Sequence, residues 1–467
     1  MVAILSLEQR TPLAEPISLE ELPSRLRSLI SNHEPVVLVG RNVWRLWREL
    51  VEWLESNNLN HLLVEMLDPR EASLAGMPYE RLLGARIMLA VQEQRSTAPV
   101  AEQGSRRVHV DAVLVARPEM CASLGCPKCY CPSGALKGKP PSLEPSLCTG
   151  CGLCLSTCPH RALWKHSASP DKLWDYIRYT ATRPASGKVV YACRDSIADL
   201  IDGLEELKPR HPVLIVPITC PGDATLELLV APHLLGLRPV IYCPGASGAC
   251  GEEHTLEYIR RVLSSYSRVA GEPLVASSPR EVAEAEPGKP LLTEGEDIPV
   301  DLGYAARLAA ARLLQGSRPP RLELPLAAHH LVNHDLCDLC GACVVKCPHR
   351  ALGIEEKGDK MLLVLEPLKC VGCGACQEAC PNDALVVEPS APTLIGKRVL
   401  HEEEVVRCIA CGRPIGSKKM VERVVRELKA RGFKGNTIKM IYLCDDCKRK
   451  ATLGLIKLDE LRIPGDE

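Results

Sequence analysis

Cys337, Cys340, Cys343 and Cys347 are spaced C-x2-C-x2-C-x3-C and followed by Pro348. Cys370, Cys373, Cys376 and Cys380 repeat that spacing and are followed by Pro381. Thiolates are soft ligands for iron, and this interval suits a cubane 4Fe–4S cluster. Three thiolates two residues apart wrap one face of the cluster on a tight loop, and the proline redirects the chain. Gly341, Gly372 and Gly374 keep the loops narrow, so that backbone N–H groups approach the sulfurs and tune the potential. Cys148, Cys151, Cys154 and Cys158, with Pro159, form a third run of the same spacing. A fourth run is irregular, Cys121-x4-Cys126-x2-Cys129-x-Cys131-Pro132, and all four runs end in Cys-Pro-x-x-Ala-Leu.

The runs come in two pairs, near 121–163 and 337–385. In bacterial two-cluster ferredoxins the fourth cysteine of each run binds the other cluster. The later pair is then expected to hold one 4Fe–4S cluster on Cys337, Cys340, Cys343 and Cys380 and another on Cys370, Cys373, Cys376 and Cys347. By analogy the earlier pair uses Cys121, Cys126, Cys129 and Cys158 for one and Cys148, Cys151, Cys154 and Cys131 for the other. A local set of Cys121, Cys126, Cys129 and Cys131, or a single cluster in this pair, stays open, because the loop before Cys126 is too long. Zinc and bare thiols are the bland readings of the later pair.

Four more cysteines fall between the pairs. Cys193 ends one strand-like run, Cys220 follows the next, Cys243 ends a third, and Cys250 comes seven residues later. In a parallel sheet the strand ends gather along one edge, where open α/β folds bind ligands. A bound metal cluster there is favoured over buried structural thiols, although free cysteine is often buried. The tail carries Cys408-x2-Cys411 and Cys444-x2-Cys447 about a charged helical stretch, 418–431. Two such pairs suit tetrahedral, structural zinc; a further iron–sulfur cluster and bare thiols are the alternatives.

The segment 188–265, with YACRDS, VPITCPGD and YCPGASGAC, resembles the delta subunit of methyl-viologen-reducing hydrogenase. That resemblance implies a 2Fe–2S cluster on Cys193, Cys220, Cys243 and Cys250. The ferredoxin-type modules resemble those of heterodisulfide reductase and its relatives. Together these likenesses cover roughly 121–385, and the ferredoxin part is the less family-specific.

The elements that must position these cysteines follow from apolar patterning. Residues 1–118 alternate apolar runs (36–40, 61–67 and VHVDAVLVA at 108–116) with helical stretches at 42–56 and 78–94, which predicts a small parallel α/β layer. Residues 185–316 repeat the rhythm, with strands at 188–192, 212–218, 238–243 and 273–277 and helices at 195–207, 224–235, 252–265 and 301–315. This reads as a doubly wound, flavodoxin-like sheet. The fold class expected is therefore α/β with two ferredoxin-like α+β inserts, at 119–165 and 327–388, and a zinc-knuckle-like tail at 400–467. Residues 284–300 and 316–326 read as connections.

Twenty-four cysteines in 467 residues exclude a routine enzyme with incidental thiols. Lys+Arg 57 against Asp+Glu 58 gives a formal net charge of -1, which argues against general nucleic-acid or membrane-surface binding. The N-terminus lacks the pattern of a signal peptide, and no run approaches 18 apolar residues. The expected setting is cytoplasmic, where clustered cysteines bind metal more often than they form disulfides. No G-x-G-x-x-G or Walker A sequence is present. Gly40, after VVLV, reads as a turn rather than a phosphate cradle. His160, His329, His330 and His349 read as surface or linker residues rather than proton carriers or ligands.

No substrate-making site stands out, so the expectation is a multi-cluster electron-transfer subunit in a hetero-oligomer. The neighbour that the resemblance implies is a hydrogenase or a flavin-bearing, heterodisulfide-reductase-like subunit. The runner-up is a self-contained oxidoreductase with a flavin or substrate site in the N-terminal layer. An iron–sulfur regulator using the tail on nucleic acid is disfavoured by neutral charge and few aromatics.

Overall fold

A computed structural model describes residues 2–8, 13–92, 95–103, 106–109, 111–115, 118, 131, 133–138, 141–158, 160–167, 169–181, 185–244 and 253–463. The chain divides into two compact units, Met1–Leu326 with Pro389–Leu394, and Ala327–Glu388 with Ile395–Glu467.

The larger unit opens with a four-stranded parallel sheet. Its strands are β1 (Ala3–Ser6), β2 (Glu15–Pro16), β3 (Val36–Val39) and β4 (Val64–Leu67), in the order β2-β1-β3-β4. β3 and β4 are buried along their whole length, which is why VVLV is continuous rather than alternating. Helices Leu22–Ser31, Trp47–Ser56 and Tyr79–Ala90 cover the sheet with apolar faces. After Gly40 the backbone N–H groups of Arg41 and Asn42 already donate to the carboxylates of Glu8 and Asp68, at 2.5 and 2.7 Å. That loop is a turn closed by acidic groups, the wrong charge for a phosphate cradle.

VHVDAVLVA does not extend this sheet. Its first half falls in β6 (Arg106–His109), which forms a hairpin with β5 (Val100–Gln103). Its second half is β7 (Val113–Val115), which pairs antiparallel with β10 (Leu163–Lys165). Between β7 and β10 come the first cluster loops and the small hairpin of β8 (Leu136–Lys137) and β9 (Ser142–Leu143). The apolar alternation signals strands correctly, but the partner of β7, β10, lies far along the chain beyond the cluster loops and is invisible in local pattern.

A second parallel sheet follows: β11 (Gly187–Cys193), β12 (Val213–Ile218), β13 (Leu237–Tyr242) and β14 (Leu274–Ala276), in the order β12-β11-β13-β14. Both sheets thus place their second strand outside the first and then run outward the other way. The helices between them contribute to one apolar core that includes Leu38 and Leu50 with Val190 and Leu200. The segment 316–326 is no free linker. Leu322, Leu324 and Leu326 are buried, and the N–H groups of Leu322 and Leu326 bond to Pro389 and Ser390.

In the smaller unit β15 (Ala327–Val332) lies beside β18 (Leu385–Ser390). A four-stranded antiparallel sheet has the order β16 (Leu352–Lys357), β17 (Lys360–Leu365), β19 (Arg398–Arg407), β20 (Pro414–Ser417). The tail therefore shares a sheet with the second ferredoxin-type module. Helix Lys418–Ala430, capped by the Ser417 hydroxyl, carries the chain on to the last CxxC pair.

Candidate iron–sulfur and metal centres

Each regular cysteine run folds into the same backbone. The residue before the second cysteine is left-handed in all three: Gly150 (φ +68°), Leu339 (+54°) and Gly372 (+71°). The residue after it is a left-handed glycine, Gly152, Gly341 or Gly374, which starts a short helix bearing the third cysteine. The recurrent Cys-Pro-x-x-Ala-Leu ending has a physical reason. Arg161, Arg350 and Asp383 are left-handed, near φ +50°, and turn the next N–H back on the fourth cysteine. Ala162, Ala351 and Ala384 donate to the sulfurs of Cys158, Cys347 and Cys380 at 3.3, 3.3 and 3.2 Å. Non-glycine residues held there cost conformational energy, about 1 kcal/mol each, which the sulfur contact offsets. In the irregular run Gly134 takes the left-handed position, and backbone N–H groups of 133, 135 and 136 likewise act on Cys131.

In the smaller unit the eight cysteines line two cavities. Cys337, Cys340, Cys343 and Cys380 surround one; Cys347, Cys370, Cys373 and Cys376 surround the other. Burial, then the neighbouring sulfurs, push the thiols of Cys343 and Cys376 up to about 12. Crowded thiols that resist ionisation together are what a cationic iron core stabilises as thiolates, so donor set and electrostatics fit such a group. Against the first cavity, Arg423 of helix Lys418–Ala430 meets Asp338 Oδ2 at 2.9 Å and Asn382 Oδ1 at 2.7 Å. Lys419 reaches the carbonyl of His334 at 2.8 Å.

Beside the second cavity stands a group that the sequence reads as a surface or linker residue and the structure buries. His330 is buried on β15 with Nε2 3.7 Å from Cys376 Sγ. The doublet His329–His330 has no motif spacing, and only the strand's alternation separates the half-exposed ring from the buried one. Hydrogen bonds to cluster sulfurs raise the reduction potential. His330→Leu is therefore expected to lower the potential of the adjacent centre by about 20–65 mV, the one-electron equivalent of one hydrogen bond. Redox titration of that centre, followed by electron paramagnetic resonance, checks the value.

In the larger unit Cys131 packs against the apolar cluster that holds Cys154 and Cys158. Cys121, Cys126, Cys129 and Cys250 lie outside the described residues. Cys193 ends β11, Cys220 lies two residues past β12, and Cys243 directly follows β13, so all three stand at one edge of the second sheet. Cys193 Sγ is 3.6 Å from the Thr219 carbonyl. Burial pushes the Cys220 thiol up to about 12, with Cys193 among the charges adding to the effect.

Next to this edge a cavity of about 250 Å³ is lined by Trp47, Arg95, Asp111, Cys193, Arg194 and Thr219, among others. Glu65 lies fully buried behind it, 2.5 Å from Arg95 and 2.6 Å from Arg194, and Arg194 stacks on the Trp47 ring at 5.1 Å. Burial raises the Glu65 carboxyl, but Arg194 and Arg95 outweigh it and hold the group at about 2.

The tail brings its four cysteines together. Ligand atoms of Cys408, Cys411, Cys444 and Cys447 all lie within 4.8 Å of one another. Burial raises and backbone N–H groups lower the Cys408 thiol, which ends at about 6. Burial, then the adjoining sulfurs, push Cys447 up to about 12. Four sulfur donors at that separation can hold one metal ion. The twenty described cysteines are all free of disulfides. Among the described residues no helix is long and apolar enough to cross a membrane.

Two stretches match known families. Residues 336–384 match the 4Fe-4S dicluster domain, and residues 141–164 match the 4Fe-4S binding domain. No curated protein matches the chain. With two ferredoxin-type domains built on these loops, the chain carries the equipment of an iron–sulfur protein for electron transfer.

Proposed function

We propose that the chain is a multi-cluster subunit that relays single electrons between partner subunits of a hydrogenase- or heterodisulfide-reductase-like complex in the cytoplasm. Iron–sulfur clusters, when bound, accept and release one electron each, at potentials set by hydrogen bonds, charge and burial. In this reading the smaller unit holds two 4Fe–4S clusters on the crossed cysteine sets. The first module holds up to two more. Cys193, Cys220, Cys243 and Cys250 hold a 2Fe–2S cluster on a flavodoxin-like sheet, and the tail holds one structural zinc. The observation that carries the reading is the pair of cysteine-lined cavities in the dicluster domain, where the fourth cysteine of each run joins the opposite set. The order of the second sheet supports the flavodoxin-like part, since it begins the doubly wound series of such folds.

The test is metal and sulfide analysis of the chain purified without oxygen, joined to turnover assays. The expected content is about 18 iron, 18 sulfide and one zinc. Dyes are reduced when an external donor is supplied, and soluble substrates are not turned over. Steady turnover by the pure chain overturns the relay. The cavity beside Cys193 favours a second reading, a self-contained oxidoreductase with a flavin or substrate between the two parallel sheets. Flavin fluorescence after acid release decides for it.

The zinc reading makes its own prediction. Among the described residues the apolar cluster around Cys408, Cys447 and Leu443 has three buried members, and the others packed on it are partly exposed, so in this reading metal ligation supplies a large share of its stability; structural zinc contributes about 10–16 kcal/mol in small domains. Chelation is expected to strip amide protection from helix Asp445–Thr452 by more than about 100-fold. The β16–β17 hairpin keeps its protection. Hydrogen exchange with and without chelator reads the difference.

A further inference from the structure

Two cysteine loops of the larger unit touch through their backbones. A Cβ placed on Gly222, in the run Cys220-Pro-Gly-Asp, falls 2.0 Å from the carbonyl oxygen of Cys151. A Cβ on Gly152 falls 2.4 Å from Asp223 Oδ1 and 2.8 Å from the Gly222 carbonyl carbon. Neither position admits a side chain. Gly222 needs no left-handed φ, so its glycine answers to proximity alone.

A buried lysine fastens this contact. Lys165 Nζ lies 2.7 Å from the Gly150 carbonyl, 2.9 Å from Asp223 Oδ1 and 3.0 Å from Asp111 Oδ2. Asp223 Oδ2 accepts from the N–H groups of Thr219 and Cys220, at 3.1 and 3.3 Å. Asp111 accepts from the Thr219 hydroxyl and the Ser167 N–H, each at 2.7 Å. A buried cation held by two buried carboxylates keeps its place only when every lone pair and proton is used. Here the network ties the loop of Cys148–Cys154 to the loop of Cys220 by way of β10.

We propose that this contact is the electron junction between the first ferredoxin-type module and the second parallel sheet. In it the centre bound through Cys151 exchanges electrons directly with the centre bound through Cys220, and Lys165 and Asp223 act as positioning residues. The inference rests on the reading that the Cys193–Cys220–Cys243 edge binds a cluster. One electron leaves one centre and arrives at the other; no bond breaks, no proton moves, and no further reactant is needed. The path runs from a cysteine backbone to a glycine backbone in van der Waals contact.

The experiment uses the full-length chain, purified without oxygen, reduced with dithionite, analysed for iron and examined by low-temperature electron paramagnetic resonance. The expected result is a pair of signals split or broadened by each other in the unaltered chain. In Gly222→Val, which wedges the loops apart, those signals become sharp and independent while the iron count stays the same. Lys165→Met is the second variant, in case the valine prevents folding. It weakens the interaction, and Lys165→Arg restores part of it. Two signals that simply add in the fully loaded, unaltered chain overturn the junction. So does an interaction that survives both Gly222→Val and Lys165→Met at full strength. Loss of about two iron, with no signal from the sheet edge, instead overturns the cluster reading on which the junction rests.

Discussion

A chain carrying Cys347→Ser is expected to lose the centre built on Cys370, Cys373 and Cys376 and to keep the one built on its own neighbours, Cys337, Cys340 and Cys343. The reason is the direction in which each run ends. The left-handed turn at Arg350 and the Ala351 N–H fix the Cys347 sulfur on the far cavity, which it shares with the later run. A serine hydroxyl is a hard, weakly acidic donor and a poor substitute for thiolate. Iron should fall by about four per chain, the content of one cubane. Cys380→Ser should remove about the same amount from the other cavity. Selective loss of resonance signals tells the two variants apart. If Cys347→Ser spared the later set and emptied its own, each run would ligate locally and the crossed assignment would fall.

The second large effect is on stability. Glu65→Gln leaves Arg95 and Arg194 buried with no anion between them. Removing one partner of a buried ion pair costs about 3–5 kcal/mol, enough to dominate the stability of a domain. Denaturant unfolding of the full chain reads the loss as a lower midpoint. Arg194 directly follows Cys193, so the same variant should disturb the spectrum of any centre at that edge. The pH dependence has a definite sign. Glu65 is held at about 2, below its ordinary value of 4.5. Its contribution, about 3 kcal/mol by linkage, is full above 4.5 and is lost as pH falls toward 2. Glu65→Gln should therefore flatten that part of the acid-unfolding curve.

The cysteine spacing carries the site further than it carries the fold. Four-ligand sets can be written from the spacing of 337–380 because cluster loops are local, and loop geometry follows from glycine and proline positions. Helices such as Trp47–Ser56, Ile197–Leu207 and Lys418–Ala430 are legible as amphipathic stretches. What escapes is non-local. β1 and β2 are only four and two residues long, and β1 has meaning only beside β3 and β2 only beside β1. Local pattern puts VHVDAVLVA in the wrong sheet because its first half folds back on β5 and the partner of its second half, β10, lies beyond the cluster loops. Lys165, Asp111 and Asp223 are ordinary charged residues in sequence; their burial against one another emerges only when three segments meet. His330 reads as a linker residue for the same reason.

The pairing of β17 with β19 decides how the chain can be cut. A fragment that ends before Arg398, however complete its eight cysteines, leaves the long apolar strand KMLLVL bare along one side. Its unpaired N–H and C=O groups would then form an open edge, ready to capture the same strand in another copy. Lys360 alone stands there as a charged guard. Self-association is thus the penalty for trimming, and the tail is a shield for the second ferredoxin-type module as well as the segment that gathers Cys408, Cys411, Cys444 and Cys447.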